Sequence, residues 1–520
     1  MTHRLRLQLR RALWAGCAVL LAACGGPTAV EERGSVQLPG QARRVFVTAL
    51  DQIQERYVRQ VEIGDLVDQG LANVLKLDPA VHAKRLPDAI EIESAETTTR
   101  IPLAAPAQAA QWGAATVGAL EAARARSAAL REVNLNDTFK AFFDGATKGL
   151  DPYSRYNTPE MAREERAQRE GFGGIGITID TDGGDVRVAN VMDESPASRA
   201  NLQVDDRIVT IEGESTRGMT ARDVVRRLRG QVGDAVTIEL TRKEAPAPLR
   251  IALVRAHIVP QTVVYRRNGD IAHIRLTGFN PRTTEALVDA LRRAEREIGP
   301  RYAGVVLDLR NNFGGYLDQS IYVADVFLPE GSIVSTRGRH RTLTHESWAR
   351  RGDVGEKVPL VVLINGNSAS ASEIVAAALQ DHNRAVVVGT TSFGKGSVQS
   401  ILTLPNDGEI ILTSARFHAP SGYALAELGV LPHVCTSGGR ENVAALLDQV
   451  RTGRFADRAA AGRWRATGPD DVEGRKALRN QTCPAEPVER DSDLELARNL
   501  LMDRALHAAA LASTATLAAR

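Results

Sequence analysis

Leu363-Ile364-Asn365-Gly366-Asn367-Ser368-Ala369-Ser370-Ala371-Ser372-Glu373-Ile374 reads as the end of a strand, a tight loop of small residues and the start of a helix. Working outward, apolar β-branched runs recur at Ile271 to Leu276, Gly304 to Leu309, Leu360 to Ile364 and Ala385 to Val388. Between them, Thr283 to Glu297 and Ser372 to Gln380 carry helical patterning. Strand and helix in alternation predict an α/β core from His257 to about residue 438. Within the quoted stretch Ser370 has two readings. Ser370-x-x-Glu373 before an apolar run is a capping box, which alone accounts for the serine. A serine opening a helix also sits among free N–H groups and the positive end of the helix dipole, a setting suited to a nucleophile. Ser368 and Ser372 compete with it for that role.

Val387-Val388-Gly389-Thr390-Thr391-Ser392-Phe393-Gly394-Lys395-Gly396-Ser397-Val398-Gln399 follows after one helix. Gly389-x-x-x-x-Gly394-Lys395 nearly spells a P-loop, but Gly396 stands where magnesium needs a hydroxyl. Ser392-x-x-Lys395 spells the first motif of penicillin-binding proteins, yet that motif needs a helix, and Gly394 and Gly396 disfavour one. Lys395 in an apolar, glycine-lined stretch with no adjacent acid suits a different chemistry. A lysine whose pKa is lowered by burial can take the proton of a serine hydroxyl. The ten histidines are scattered, with His382 and His418 reading as surface or core residues, so a histidine triad is unsupported. No His-Glu-x-x-His or zinc-spaced cysteine pair occurs, and no cofactor is implied.

Upstream, Gly171-Phe172-Gly173-Gly174-Ile175-Gly176 precedes a strand. Glycines there let backbone N–H groups converge into a nest for a carboxylate beside a strand edge. The spacing also fits a dinucleotide fingerprint, but no strand precedes it and no helix follows. Ser195 to Leu202, Asp205-Asp206-Arg207-Ile208 and an amphipathic helix Thr220 to Leu228, with Val224 and Leu228 inward, complete a resemblance to a circularly permuted PDZ domain over 168–256. Gly173, Gly174, Ile175, Gly176, Val224 and Leu228 are then the expected peptide-binding residues. Asn201 and Asp205 stand where that pattern usually has glycine.

The serine and lysine segments together resemble the C-terminal processing peptidases, or tail-specific proteases. In that family the nucleophile lies in a Ser-Ala-Ser-Ala-Ser-Glu run and the base lysine follows in Phe-Gly-Lys-Gly, with a glutamine four residues on. The resemblance implies Ser370 as nucleophile, Lys395 as base and Gln399 as its support. It extends over Leu307-Asp308-Leu309-Arg310-Asn311-Asn312-Phe313-Gly314-Gly315 and the turn Leu150 to Tyr156. The N–H of Ala371, with one from Gly314 or Gly315, is the expected oxyanion hole. The implied fold is a multidomain α/β protein: a helical N-terminal region, a PDZ-like β-rich domain, an α/β protease core of the ClpP/crotonase-like type and a helical C-terminal tail. Phe313 departs from a common proline, His433 from a usual aspartate, and Tyr423 to Leu428 diverges. The rival reading is a catalytically inactive scaffold or peptide-binding envelope protein.

At the N-terminus, Arg4 to Arg11 form a basic flank and Ala12 to Leu20 an apolar core too short to span a bilayer. Leu21-Ala22-Ala23-Cys24 resembles a bacterial lipobox, implying cleavage after residue 23, a lipid on Cys24 and a membrane anchor. Gly25 after it points to the periplasmic side of the outer membrane. Of four cysteines, Cys17 leaves with the signal segment, and Cys435 and Cys483 form a disulfide candidate in an oxidising compartment. The expected layout is signal peptide 1–23, tether 24–43, helical region 44–160, PDZ domain 168–256, protease core 257–438 and helical extension 439–520. Removing residues 1–23 takes four arginines and no acid, which turns the formal +2 slightly negative. With aromatics at 4%, nucleic acid is not an expected partner. Expected partners are proteins with unstructured C-terminal tails, an adaptor lipoprotein by family resemblance, and further copies of the chain through its helical ends.

Overall fold

In the computed structural model, residues 35–104, 106–182, 185–350, 358–439, 442–454 and 458–518 are described. The expected signal segment, Cys24 and most of the tether lie outside them. The central sheet has six strands in the order Val263–Asn268, Ile271–Leu276, Gly304–Asp308, Leu360–Ile364, Val386–Gly389 and Val434–Cys435. The first pair is antiparallel and the rest are parallel. Their continuous apolar runs are explained by burial on both faces. Val305, Leu307, Val362 and Ile364 face helices Thr283–Ile298, Leu317–Asp325 and Ala371–Asp381. Val306, Val361, Leu363 and Val388 face the other way, onto Leu446, Leu496, Leu500 and Leu506. Those leucines belong to the C-terminal helices Val443–Thr452, Asp491–Met502 and Arg504–Ala518. The tail expected as an extension is thus the second layer of the core.

A second sheet runs His345–Trp348, Ser332–Gly338, Glu409–His418, Ser397–Thr403, with Arg155–Asn157 paired to Glu409–His418. Its Ile410 and Leu412, with Leu404 from the turn between its last two strands, share a core with the N-terminal region. There Phe46 meets Phe139 and Phe142 edge-on, with ring centroids 5.3 and 4.9 Å away. Helix Gly40–Arg56 buries Ala42, Val45, Phe46, Ala49, Leu50 and Ile53. The N-terminal region is also not wholly helical. His82–Leu86, Ala89–Glu93 and Thr98–Pro102 form an antiparallel sheet. Only Ala89–Glu93, with its alternating Ile and Glu, shows the period of two, and it is hard to see among so many charges.

The PDZ unit has strands Leu249–Val254, Ala235–Thr241, Arg207–Ile211, Asp185–Val191 and Ile177–Asp182, in that order, leaving Ile177–Asp182 at an edge. Asn201 and Asp205 take left-handed backbones, with φ of 58° and 72°. Asp205 in that conformation is anchored by Arg187, 2.6 Å away. A two-stranded ladder, Phe172–Gly174 with Ala256–Ile258, ties the unit's two ends together where they leave the core.

Candidate active site

Strand Leu360–Ile364 stops because the small residues after it are bound side to side with the neighbouring loop. Asn365 Oδ1 accepts from the N–H of Asn311 at 3.0 Å and of Asn367 at 3.1 Å. Ser368 donates its hydroxyl to Leu309 O at 2.8 Å, and Ser372 donates to Asn312 O at 2.9 Å. Both of these rival serines are fully buried. Ser370 is partly exposed and sits at φ 57°, ψ −113°, a strained turn for a residue with a Cβ. The turn points it out of the strand–loop–helix junction while helix Ala371–Asp381 begins behind it.

Glu373 is the centre of this site, and it is fully buried. Its Oε2 accepts from the N–H of Ser370 at 2.8 Å and of Lys395 at 3.0 Å. Its Oε1 accepts from the Ser392 hydroxyl and the N–H of Gly394, both at 2.6 Å. Burial pushes its pKa up, and its four donors oppose that rise only in part. The expectation that Lys395 has no adjacent acid is corrected here. The acid is far away in sequence and grips the lysine's backbone rather than its ammonium. Sequence reading saw Glu373 only as half of a capping box with Ser370; nothing in the local pattern tied it to residue 395.

Burial also pushes the Lys395 pKa down, and Arg155 adds to the effect against the pull of Glu373 and Glu165. Among the described residues no hydrogen bond joins Lys395 Nζ to Ser370 Oγ. The ammonium stands over the Tyr153 ring, 5.5 Å from its centroid. Burial first, then nearby carboxylates, push the Tyr153 phenol up to about 12, so the ring is neutral. Asp151 sets Tyr153 in place: Oδ1 accepts from Tyr153 N–H at 2.9 Å and from the Thr413 hydroxyl at 2.8 Å. This is why the turn Leu150 to Tyr156 belongs to the site. Gln399 donates to Ser397 Oγ at 3.1 Å and to Thr413 Oγ1 at 3.0 Å, and its buried Oε1 has no partner among the described residues.

Gly314 packs directly on Ser370; a Cβ there would lie 2.9 Å from Ser370 Cβ and 3.0 Å from Ala371 N. Its own N–H is committed to Asn312 Oδ1 at 2.9 Å. The N–H groups of Gly315 and Ala371 have no acceptor among the described residues. The loop is stiffened from behind by a buried ion cluster. Asp308 accepts from Arg310 Nε at 2.9 Å and Nη2 at 2.7 Å, and pairs with His273 at 3.1 Å. Burial works against that carboxylate, but Arg310 and His273 more than offset it and hold it well below the ordinary range.

In the PDZ unit, Ile175, Val224 and Leu228 are buried in one core, with Ile177 and Ile179 packed against it. Gly176 has φ 81°, and its carbonyl accepts from Met192 N–H at 2.9 Å. Gly173 O accepts from Gly230 N–H at 3.0 Å, and Gly174 is buried on the Ala256–Ile258 strand. Arg229 lies over the Phe172 ring, 3.8 Å from its centroid. Cys435 and Cys483 are bonded to each other.

The family model for peptidase family S41 matches residues 270–436, and the PDZ domain model matches 163–241. The chain is 42% identical to a carboxy-terminal-processing protease of Bartonella bacilliformis, over 56% of this chain and 68% of that protein. It is 32% identical to a carboxyl-terminal-processing protease of Synechocystis, over 58% of this chain and 71% of that one. Among solved structures, the photosystem II D1 C-terminal processing protease aligns at 29% identity and a TM-score of 0.35, covering 56% of this chain and 81% of that one. The two family models and the Bartonella and Synechocystis relatives establish that the chain belongs to peptidase family S41 and is a serine-type peptidase carrying a PDZ domain.

Proposed function

We propose that the chain is an endopeptidase that takes the C-terminal tails of proteins through its PDZ unit and cuts them with a Ser370–Lys395 dyad. The observation that carries this reading is the shared grip of Glu373 Oε2 on the backbones of both residues. A tail adds as a strand along the free edge of Ile177–Asp182, its carboxylate held near Gly173 to Gly176 and its last side chain over Val224 and Leu228. The upstream chain reaches the junction of Phe279 and Gly315, which already pair as an isolated bridge.

For chemistry Lys395 must leave the Tyr153 ring and meet Ser370 Oγ. Gln399 Oε1, without a partner among the described residues, is the acceptor suited to hold it there. The neutral amine takes the hydroxyl proton, Oγ attacks the scissile carbonyl, and the N–H groups of Gly315 and Ala371 receive the oxyanion. The lysine returns the proton to the leaving amine, and water then hydrolyses the acyl-enzyme. Ser370→Ala and Lys395→Ala are each expected to abolish cleavage of an unstructured-tail substrate with the fold retained. Cleavage by either variant would refute the dyad.

The proposed location is the periplasmic side of the outer membrane, anchored by lipid on Cys24. Its support is the lipobox-like Leu21-Ala22-Ala23-Cys24 and a disulfide suited to an oxidising compartment. Cys24→Ala is expected to move the protein from the membrane to the soluble envelope fraction. Self-association through the helical ends and delivery of substrates by an adaptor lipoprotein complete the proposal.

A further inference from the structure

Helix Val472–Thr482 lies beyond residues 270–436, the stretch shared with the peptidase family. It nevertheless reaches the loop of the base. Arg475 is completely buried and forms no ion pair among the described residues. Its guanidinium donates from Nε to Ala426 O at 2.9 Å, from Nη2 to Ala424 O, and from Nη1 to Thr467 O at 2.8 Å and Gly468 O at 3.2 Å. One turn on, Arg479 Nη1 donates to Phe393 O at 2.9 Å. At the end of the helix, Cys483 O accepts from the Thr391 hydroxyl at 2.5 Å.

The turn that Arg475 holds is the wall of the Lys395 loop. Glu427 N–H donates to Gly394 O at 2.8 Å. A Cβ on Gly396 would fall 1.9 Å from Ala426 N, so the two backbones are in direct contact. The loop is therefore fixed on two sides by opposite chemistry. Its N–H groups go to the Glu373 carboxylate, while the carbonyls of Phe393 and of the abutting turn go to two guanidinium groups. A guanidinium suits this because its donors form a rigid fork able to bind two chain segments at once. The turn, Tyr423 to Leu428, is also where the sequence departs from the family pattern.

We propose that Arg475, seconded by Arg479, is a positioning residue of the catalytic base: the C-terminal helix holds the turn 424–427 against Gly394 and Gly396 and so keeps Lys395 in its desolvated place. This rests on the dyad reading. The groups facing Lys395 are Glu373 from its helix, Tyr153 and Arg155 from the N-terminal turn, and Glu165 from helix Pro159–Glu170. Those around Arg475 are Arg416, Tyr423, Glu427 and Asp471. Neither set contains a second lysine that would mimic the base.

The test uses full-length protein carrying Arg475→Met, Arg479→Met or Lys395→Ala, assayed on an unstructured-tail peptide across pH. Loosening the turn lets water reach Lys395. Each arginine variant is then expected to lose at least about tenfold in kcat with KM held within about twofold. The limb on which activity rises with pH is expected to move upward by about one on the pH scale as the lysine regains hydration. A merely structural role would scale activity by the folded fraction and leave that limb in place. If Arg475→Met does not fold, Arg479→Met decides alone. An unmoved limb in folded variants, with Lys395→Ala inactive, overturns this inference only; cleavage by Lys395→Ala overturns the dyad beneath it.

Discussion

Replacing Glu373 by glutamine changes one atom's chemistry and nothing in shape, and the structure sets what it costs. The wild-type carboxylate offers two acceptor oxygens. Oε1 receives the Ser392 hydroxyl and Gly394 N–H, and Oε2 receives the Ser370 and Lys395 N–H groups. A glutamine amide has one oxygen and one NH2. In either flip, two buried donors face another donor in place of an acceptor. Each orphaned buried donor costs about 1–3 kcal/mol, so the pair costs about 2–6 kcal/mol, less whatever is regained by no longer burying a charge. That is a large share of a domain's stability, typically about 5–15 kcal/mol. The cheapest relief is for one chain segment to move off, and both segments carry proposed catalytic residues. Glu373→Gln is therefore expected to lower kcat/KM by at least about a hundredfold, because small misplacements at a reacting centre are costly. The assay pairs cleavage of an unstructured-tail peptide with thermal unfolding followed by circular dichroism. Wild-type kcat/KM together with an unchanged Tm would refute the reasoning, since it would mean that the four hydrogen bonds do not hold the site together.

Other expectations follow from single contacts. Gly396→Ala drives a Cβ to 1.9 Å from Ala426 N at a residue with φ 44°, so it is expected to cost activity heavily, while Gly462→Ala, with open space around it and no left-handed backbone, leaves activity unchanged in the same cleavage assay. The Cys435–Cys483 bond closes a loop with a sequence separation of 48, worth about 4 kcal/mol by chain entropy; unfolding with and without a dithiol reductant is expected to show a clear drop in Tm. The Lys395 pKa is depressed, so the neutral base forms below the ordinary lysine value of 10.5 and kcat/KM rises with pH through that lower value. The sign for stability is the same: between the folded pKa and the unfolded one, the folded state binds fewer protons and stability rises with pH, which titrating Lys395→Met alongside the wild type checks. Tyr153→Phe keeps the ring face that meets the ammonium and is expected to hold activity within about twofold.

The α/β core was legible because its strands are buried on both faces. Leu360–Ile364 and Gly304–Asp308 therefore read as unbroken apolar runs between turn signals. The dyad proposed here could be read only from the two residues together, since Ser370 alone is a helix cap and Lys395 alone a failed P-loop. Other parts left no local pattern to read. The strands His82–Leu86 and Ala89–Glu93 are short and charged; Ile90 and Ile92 of the second pack into the helical core, and the exposed first strand is held by its ladder to the second. Tyr153 earns its role from Asp151 and Thr413, the latter more than 250 residues away, and no periodicity encodes such a contact.

Glu373 and Arg475 mark the same limit from two sides. Both are charged residues on helices, and charge on a helix is ordinarily a solvated face. Here each is fully buried, and each turns its charge mainly on backbone groups rather than on an opposite charge. Sequence pattern recognises ion pairs and stripes of side chains, because those are relations between residue types. A backbone carbonyl or N–H belongs to every residue, so a side chain that serves one has no partner to betray it. A loop built of Gly394, Lys395 and Gly396 has little side-chain packing of its own to define its shape. Its shape must then come from groups that bind main chain, and buried charges are the strongest of these. The glycines that make the loop readable as a motif are thus the reason its supports are not.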